Sequence, residues 1–228
     1  MKLSSHSTLV TDIATILNLL GSPLKVVYDS WDKPLKLHCR RLADMSLLSG
    51  KIIASDGIIP DGAPFNQTVN PGTYPLLLII ADLDGDERVA FAMLRFSEEP
   101  VARWEVATID YPADLADKLI SINSDLIFSY GVDSGTGCFA DANAYPLLFS
   151  DEAIPPDLME KIEKEQKKIY KDTRDWVHIE TPKGSMAIFS SGDGDGTYAS
   201  YFGLNRAGKP VALLTDFVIV DWPNRPQR

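Results

Sequence analysis

The chain has 228 residues, of which 45% are hydrophobic and 24% charged, with 32 Asp and Glu against 22 Lys and Arg. A chain of this length and composition is expected to form one sizeable globular domain, or one domain with appendages, and not to be disordered throughout. The net charge of −10 argues against binding nucleic-acid phosphates or anionic lipid, because both need a cationic surface. The longest apolar run, residues 76–81, is far shorter than the roughly 20 residues of a transmembrane helix.

The N-terminal part of the chain predicts one helix and then an irregular segment. Apolar side chains at positions 9, 13, 16, 17 and 20 form a single helical stripe, which Ser7 can cap and Gly21 can end. This helix is expected to pack on the body of the protein, with docking of a partner as the alternative. Residues 22–50 hold few regular signals and five cations, which we expect to pair with neighbouring acids.

The centre of the chain predicts β structure. Residues 51–54 form a short predicted strand, and residues 74–81 are apolar enough for a strand that is buried on both faces. Acidic turn residues follow, and the predicted strand 88–96 returns as the second half of a hairpin. With a further strand over 101–109, short links between consecutive strands predict an antiparallel meander.

Helices are then expected to interrupt the strands. We predict helices over about 110–122, 142–149 and 155–171, the last one a solvated outer helix with ion pairs at i, i+4 spacing. Strands are predicted over 186–190, 198–204 and 211–220. The fold class is therefore α+β, a single β-rich domain with a mainly antiparallel sheet and a few peripheral helices. We divide it into an N-terminal segment (1–50), a β-rich domain (51–222) and a loose tail (223–228).

The first candidate site is the glycine-rich segment 131–141. Glycines allow a positive φ and can turn backbone amides towards a ligand. The side chains expected to crowd around this turn are Asp133, Ser134, Thr136, Cys138 and Asp141. The segment lacks the Lys of a phosphate-binding Walker loop and the spacing of a dinucleotide fingerprint. A tight turn whose polar side chains bond to backbone amides is the alternative interpretation.

The second candidate site is the segment 190–197, in which Asp193 and Asp195 alternate with glycines around Ser191. Such loops can bind Ca²⁺, but this one lacks the spacing and the closing Glu of an EF-hand, as does the turn at 82–86. A β-turn is the favoured interpretation of both, and we predict no metal and no cofactor. Neither glycine segment contains a His to activate a nucleophile, and the two cysteines are predicted to be reduced thiols of a cytoplasmic protein.

The acidity of the chain is uneven. Residues 55–117 contain twelve Asp and Glu and three Arg, whereas residues 1–51 have a positive balance. A concentrated acidic surface suits the steering of a basic protein partner. The residues predicted for it are Asp82, Asp84, Asp86, Glu87, Glu98 and Glu99.

Several of these segments together resemble the bacterial domain of unknown function 4241 family, over roughly residues 50–220. The resemblance rests on residues 70–75 (NPGTYP), 86–89 (DERV), 95–97 (RFS), 103–105 (RWE), 131–141 (GVDSGTGCFAD), 189–192 (FSSG), 195–196 (DG), 201–203 (YFG) and 215–217 (TDF). It implies a compact β-rich domain and no particular chemistry. Asp193 stands where similar sequences are expected to carry Trp, which argues against a metal ligand at that position.

Two functions of different classes follow, and a purely structural subunit that makes contact through the N-terminal helix is a third. The first is a non-enzymatic binding protein, and specifically an immunity-type protein that neutralises a bacterial toxin by direct protein–protein binding. The alternative is a hydrolase or small-ligand-binding protein, which requires segments 131–141 and 190–197 to meet in one cleft with Asp133, Asp141 and Asp195 near a common point. We expect a protein partner, for which a basic toxin domain is the candidate, and we expect no nucleic acid or membrane. The oligomeric state does not follow from the sequence.

Overall fold

The structure is a computed structural model, and it describes residues 13–28, 31–59, 61–110, 129–149, 154–170 and 175–226. Within these ranges every pairing between strands is antiparallel. The helices are α1 (Ile13–Leu20), a 3₁₀ turn (Tyr145–Leu147) and α2 (Pro156–Ile169). The strands are β1 (Lys25–Val26), β2 (Lys36–Leu47), β3 (Ile52–Asp56), β4 (Gly72–Leu83), β5 (Asp86–Arg95), β6 (Arg103–Val106), β7 (Ser129–Val132), β8 (Thr136–Asp141), β9 (Trp176–Thr181), β10 (Gly184–Ser190), β11 (Gly196–Leu204), β12 (Pro210–Asp216) and β13 (Val220–Asp221).

Two large sheets make up the body of the protein. The seven-stranded sheet has the order β2-β4-β5-β12-β11-β6, with β7 also paired to β11, and the four-stranded sheet has the order β3-β8-β10-β9. The sheets face each other across one apolar core, to which Leu78 and Phe202 contribute from the larger sheet and Phe139 and Phe189 from the smaller. The prediction of a β-rich, mainly antiparallel domain is confirmed, while the few helices make the α+β label a loose fit.

Helices and the C-terminal segment cover the outer faces of both sheets. Ile16 and Leu20 of α1 pack with Trp222 on the outer face of the seven-stranded sheet, and Ile162 of α2 packs with Tyr145 on the four-stranded sheet. This layering explains why β4, an interior strand of the larger sheet, is buried on both faces, as its apolar run predicts. Each fully buried Leu or Ile of that strand contributes roughly 2 kcal/mol of apolar burial.

The predicted meander is wrong in its third strand. β4 and β5 form the expected hairpin, with Leu76 opposite Leu94. β5 then pairs with β12, and β11 separates β12 from β6. The reason is burial: β12 is buried along nearly its whole length and needs a neighbour on each side, whereas the short β6 begins with the exposed Arg103 and lies at the end of the strand order.

The prediction of an irregular segment over 22–50 is also wrong, because residues 36–47 form the long strand β2. This strand is paired on one side, with β4; its first nine residues are exposed or half-buried, and only Met45 and Leu47 near its end are fully buried. A sheet edge tolerates polar residues, so the strand carries little apolar signal in the sequence. The described part of the tail predicted to be loose, residues 223–226, is instead attached: Asn224 Nδ2 donates to the Leu19 carbonyl oxygen, and Arg225 forms an ion pair with the buried Asp216 at 2.7 Å.

The three predicted helices have different outcomes. α2 forms as expected, with a Lys167–Glu163 ion pair of 3.3 Å and Ile162 as its buried side chain. The helix predicted over 142–149 is reduced to the 3₁₀ turn. The helix predicted over 110–122 falls almost wholly outside the described residues, as does the start of the N-terminal helix. Among the described helices, none is long and apolar enough to cross a membrane.

Candidate functional site

The two glycine-rich segments meet at one end of the sandwich. The Gly135 amide donates to Asp195 Oδ1 at 3.0 Å, and the Ser191 amide donates to the Gly135 carbonyl oxygen at 3.2 Å. Strand pairing produces this contact, since β7 pairs with the beginning of β11 and β8 pairs with the end of β10. Segments 131–141 and 190–197 therefore meet, which the ligand-binding hypothesis requires.

Asp56, which the sequence analysis did not single out, organises the first of these segments. It ends β3 at 2% exposure, and both of its carboxylate oxygens are occupied. Oδ1 accepts from the amides of Ile58 and Ile59, at 2.7 and 2.9 Å, and from the Ser134 hydroxyl at 2.7 Å. Oδ2 accepts from the amides of Asp133 and Ser134, at 2.8 and 2.9 Å.

This hydrogen bonding determines the chemistry available to Ser134. Burial acts to raise the pKa of Asp56, but the donors around the carboxylate outweigh that effect and leave the pKa below its usual value. A carboxylate with a lowered pKa is a poor proton acceptor, so Asp56 positions Ser134 without activating it as a nucleophile. The Thr136 hydroxyl lies 2.8 Å from the Ser134 hydroxyl, and Ser191 donates its hydroxyl to the Gly194 carbonyl oxygen at 2.9 Å.

Cys138 and Asp141 do not join the other residues predicted for this site. Cys138 is fully buried, and burial raises the pKa of its thiol to about 12, so it is protonated at neutral pH. Asp141 lies at the far end of β8, about 17 Å from Thr136 at the rise of an extended strand. Its buried carboxylate accepts from the amides of Ser49 and Asn143, each at 2.7 Å. The prediction that all five side chains crowd around one turn is therefore wrong: the length of β8 separates Asp141 from the turn, and the Cys138 thiol is buried in the core, where it contacts the Asp56 carbonyl oxygen.

The six acidic residues predicted for a partner surface occupy two separate places. Asp82, Asp84, Asp86 and Glu87 surround the β4–β5 turn, whereas Glu98 and Glu99 follow the other end of β5. The ten residues of β5 separate these places by about 30 Å. The six carboxylates therefore do not form a continuous surface.

Cations from the segment 31–41 pair with the acids of the turn, as expected for the basic part of the chain. Lys33 forms an ion pair with Asp84, and Lys36 lies 4.0 Å from Asp82. Both lysines and Asp84 are largely exposed and Asp82 is partly exposed, so each pair adds little to stability. Their effect is to neutralise part of the acidic turn.

Arg88 connects the β4–β5 turn to the second glycine-rich segment. Its guanidinium group lies 2.8 Å from an Asp86 oxygen and 3.0 Å from Asp193 Oδ1, and the Tyr28 hydroxyl donates to the same Asp193 carboxylate at 2.7 Å. The turn and the glycine-rich segments thus form one surface, which we call the acidic end. Its carboxylates are Asp61, Asp82, Asp84, Asp86, Glu87, Asp133, Asp193 and Asp195, and its cations are Lys33, Lys36 and Arg88.

A cavity of about 180 Å³ opens beside the acidic end, between the two sheets. Ala54 and Phe65 line it on the side of the smaller sheet, and Tyr130 and Ser200 line it on the side of the larger one. Asp61 is the acidic residue of the lining. The sequence analysis missed this cavity because its lining comes from segments that are distant in the chain and carry no shared motif.

The described part of the chain contains no group of three or more His, Cys, Asp or Glu side chains placed to hold a metal ion. In the two acidic turns considered for Ca²⁺, the carboxylates already bind protein donors. Asp193 accepts from Tyr28 and Arg88, and Asp82 accepts from the Gly85 amide at 2.7 Å. Metal binding at these turns would require these contacts to break.

In a comparison with known proteins, one family model matches the chain. The family model described as "Protein of unknown function (DUF4241)" matches residues 45–215, which is three quarters of the chain. The matched range contains the β4–β5 turn and both glycine-rich segments and excludes α1. No curated protein and no solved structure matches the chain.

Proposed function

The chain belongs to the DUF4241 family, and we propose that it is a non-enzymatic binding protein that recognises a basic protein domain through the acidic end. The specific role we propose is that of an immunity-type protein, which neutralises a bacterial toxin by binding to it directly. The observation that carries this proposal is the position of Arg88 between Asp86 and Asp193, because it unites two acidic segments that are far apart in the sequence.

The charge of the acidic end supports a basic partner. Asp84, Asp133, Asp193 and Asp195 are exposed there, and the carboxylates outnumber the neighbouring Lys and Arg side chains. Clustered charge of one sign raises the rate at which an oppositely charged protein associates. The hydrogen bonds within the glycine-rich segments hold this surface in one conformation before binding, which reduces the entropy cost of association.

The alternative, a hydrolase acting at the glycine-rich segments, has less support. Its candidate thiol, Cys138, is buried with a raised pKa, and the Ser134 hydroxyl bonds to a carboxylate that is a weak base. Asp141 is too distant to act with Asp133. One observation does favour binding of a small ligand without catalysis, which is the cavity beside Asp61. The proposed role implies a cytoplasmic location, in keeping with two cysteines that form no disulfide.

The test is co-expression with the product of the neighbouring gene, followed by co-purification and measurement of association kinetics. Two matched double variants locate the surface: Asp84→Lys with Asp133→Lys at the acidic end, and Glu98→Lys with Glu99→Lys at the far end of β5. We expect the first pair to lower the association rate constant about ten-fold or more at low salt, with a smaller difference at high salt, and the second to change it little.

Two results would reject the proposal. One is the absence of both an adjacent toxin-like gene and a co-purifying protein. The other is a partner whose association responds equally to the two double variants, since that would place recognition away from the acidic end. Thermal unfolding of each variant provides the control for folding, because all four substituted side chains lie at exposed positions.

A further inference from the structure

The cavity beside the acidic end has the size of one small chemical group. Its volume is about 180 Å³, close to the roughly 150 Å³ of an engineered protein cavity that holds benzene. Pockets for drug-sized ligands begin at about 300 Å³. A nucleotide or an oligosaccharide is therefore too large, whereas a side chain or a short amine fits.

The charge beside the cavity selects a cation. Asp61 lines the cavity, and within the described residues no Lys, Arg or His pairs with its carboxylate. Asp84 and Asp86, in contrast, each have a cationic partner. Asp61 is exposed to solvent, and partial burial of its carboxyl group, together with the nearby carboxylates of Asp56 and Asp133, raises its pKa.

The remaining walls are mixed, with polar groups such as Ser200 beside apolar side chains against which the stem of an organic cation can pack. Phe65, Ala107 and Ile109 supply apolar surface, and Tyr130 adds a second aromatic ring. Burial raises the pKa of Tyr130, so the ring stays uncharged at neutral pH. Aromatic rings stabilise ammonium groups and alkyl stems pack against apolar carbons, so both parts of an alkylammonium ion have suitable surroundings.

We propose that this cavity binds a single alkylammonium group, with Asp61 as its counter-ion. A lysine side chain of the basic partner can supply that group, and in this form the inference rests on the proposed function. A free short-chain amine has the same chemistry and is the other source. The cavity thus gives the acidic end a specific anchor point in addition to its overall charge.

The binding test uses the isolated chain and n-butylammonium as the probe, with butan-1-ol as a neutral probe of similar shape. Amide chemical shifts of Gly62 and Gly131, which line the cavity, report binding in a titration followed by NMR. We expect saturable shifts with n-butylammonium, and binding at least ten-fold weaker for butan-1-ol and in Asp61→Asn. Glu98→Gln, at the far end of β5, is the matched control and should leave binding unchanged.

A second variant makes the result independent of charge. Ala63→Leu adds volume to the cavity lining and leaves every carboxylate in place, so it should also weaken binding of n-butylammonium. The proposal is overturned if the probe produces no saturable shifts at these glycines, if butan-1-ol binds equally well, or if Asp61→Asn binds as tightly as the unmodified chain.

Because the titration needs no partner, its failure would leave the proposed function standing. Conversely, failure to find a protein partner would leave the cavity as a site for a free amine. Once a partner is identified, competition separates the two sources of the cation. Displacement of n-butylammonium by the partner identifies a lysine side chain as the ligand. Simultaneous binding of both identifies a free amine. Either result, combined with the effect of Asp61→Asn, supports the cavity as an alkylammonium site.

Discussion

Replacement of Asp56 by Asn tests whether this carboxylate holds the first glycine-rich segment in place. Asn has the same shape but one acceptor oxygen in place of two, and its NH₂ group must face one of the two sets of donors. In either orientation at least two backbone amides lose their acceptor: those of Ile58 and Ile59, or those of Asp133 and Ser134. An unsatisfied buried donor costs about 1–3 kcal/mol, so we expect the free energy of unfolding to fall by about 2–5 kcal/mol.

The pH dependence of this effect has a definite sign. Since the pKa of Asp56 is lowered in the folded protein, its contribution to stability is fully present above the unfolded-state pKa of about 4. That contribution is lost as the pH falls through the lowered folded-state pKa. The difference between Asp56→Asn and the unmodified chain should therefore be constant near neutral pH and shrink in acid.

Urea unfolding at pH 7, repeated at lower pH, measures both quantities. Asp133→Asn is the matched control: its backbone amide donates to Asp56, but its own exposed side chain has no acceptor role in the segment, so it should change stability by less than about 0.5 kcal/mol. A loss below about 1 kcal/mol for Asp56→Asn at pH 7, or a loss that grows in acid, would refute the reasoning.

Three further predictions concern stability and reactivity. Gly184→Ala should destabilise the protein by more than about 2 kcal/mol in urea unfolding, because φ is +129° and a Cβ would lie 2.6 Å from a neighbouring side-chain carbon. Gly85 is the control: its φ is also positive but the space around it is open, so Gly85→Ala should lower stability by about 1 kcal/mol. Iodoacetamide should modify the half-buried Cys39 and leave Cys138 unmodified in the native protein, as measured by mass spectrometry. Arg225→Met should lower stability by about 2 kcal/mol, because it leaves a buried carboxylate without its cation; no change in the urea midpoint would contradict docking of the C-terminal segment.

Local patterns predicted those elements whose burial is strong. The continuous apolar run of β4 follows from a position between two covered faces, and the hairpin to β5 follows from a short acidic turn between two apolar segments. α2 was predictable because it lies at the surface, where its charged residues and its few apolar positions follow the helical period. The family resemblance was recognisable from short motifs because these motifs include turn residues and strand ends, which are also specified by local sequence.

Edge strands and strand order were not predictable in the same way. β2 carries polar residues because it pairs on one side only, so its sequence looks irregular although the strand has 12 residues. The position of β12 between β5 and β11 depends on which apolar strands pack best together, and that competition involves residues more than 100 positions apart. Local propensity does not contain this information.

The sequence by itself determined the composition of the acidic end: its glycines, its carboxylates and the uneven distribution of charge along the chain. Only the tertiary structure decided which of these residues act together. Strand pairing brings Asp193 beside Arg88 and the β4–β5 turn, and it places Asp61 at a cavity between the sheets. Asp141, in contrast, lies at the end of β8 that is remote from the glycine-rich turn. The physical reason is that charge is a property of each residue, whereas a binding surface depends on distances that long-range strand pairing sets.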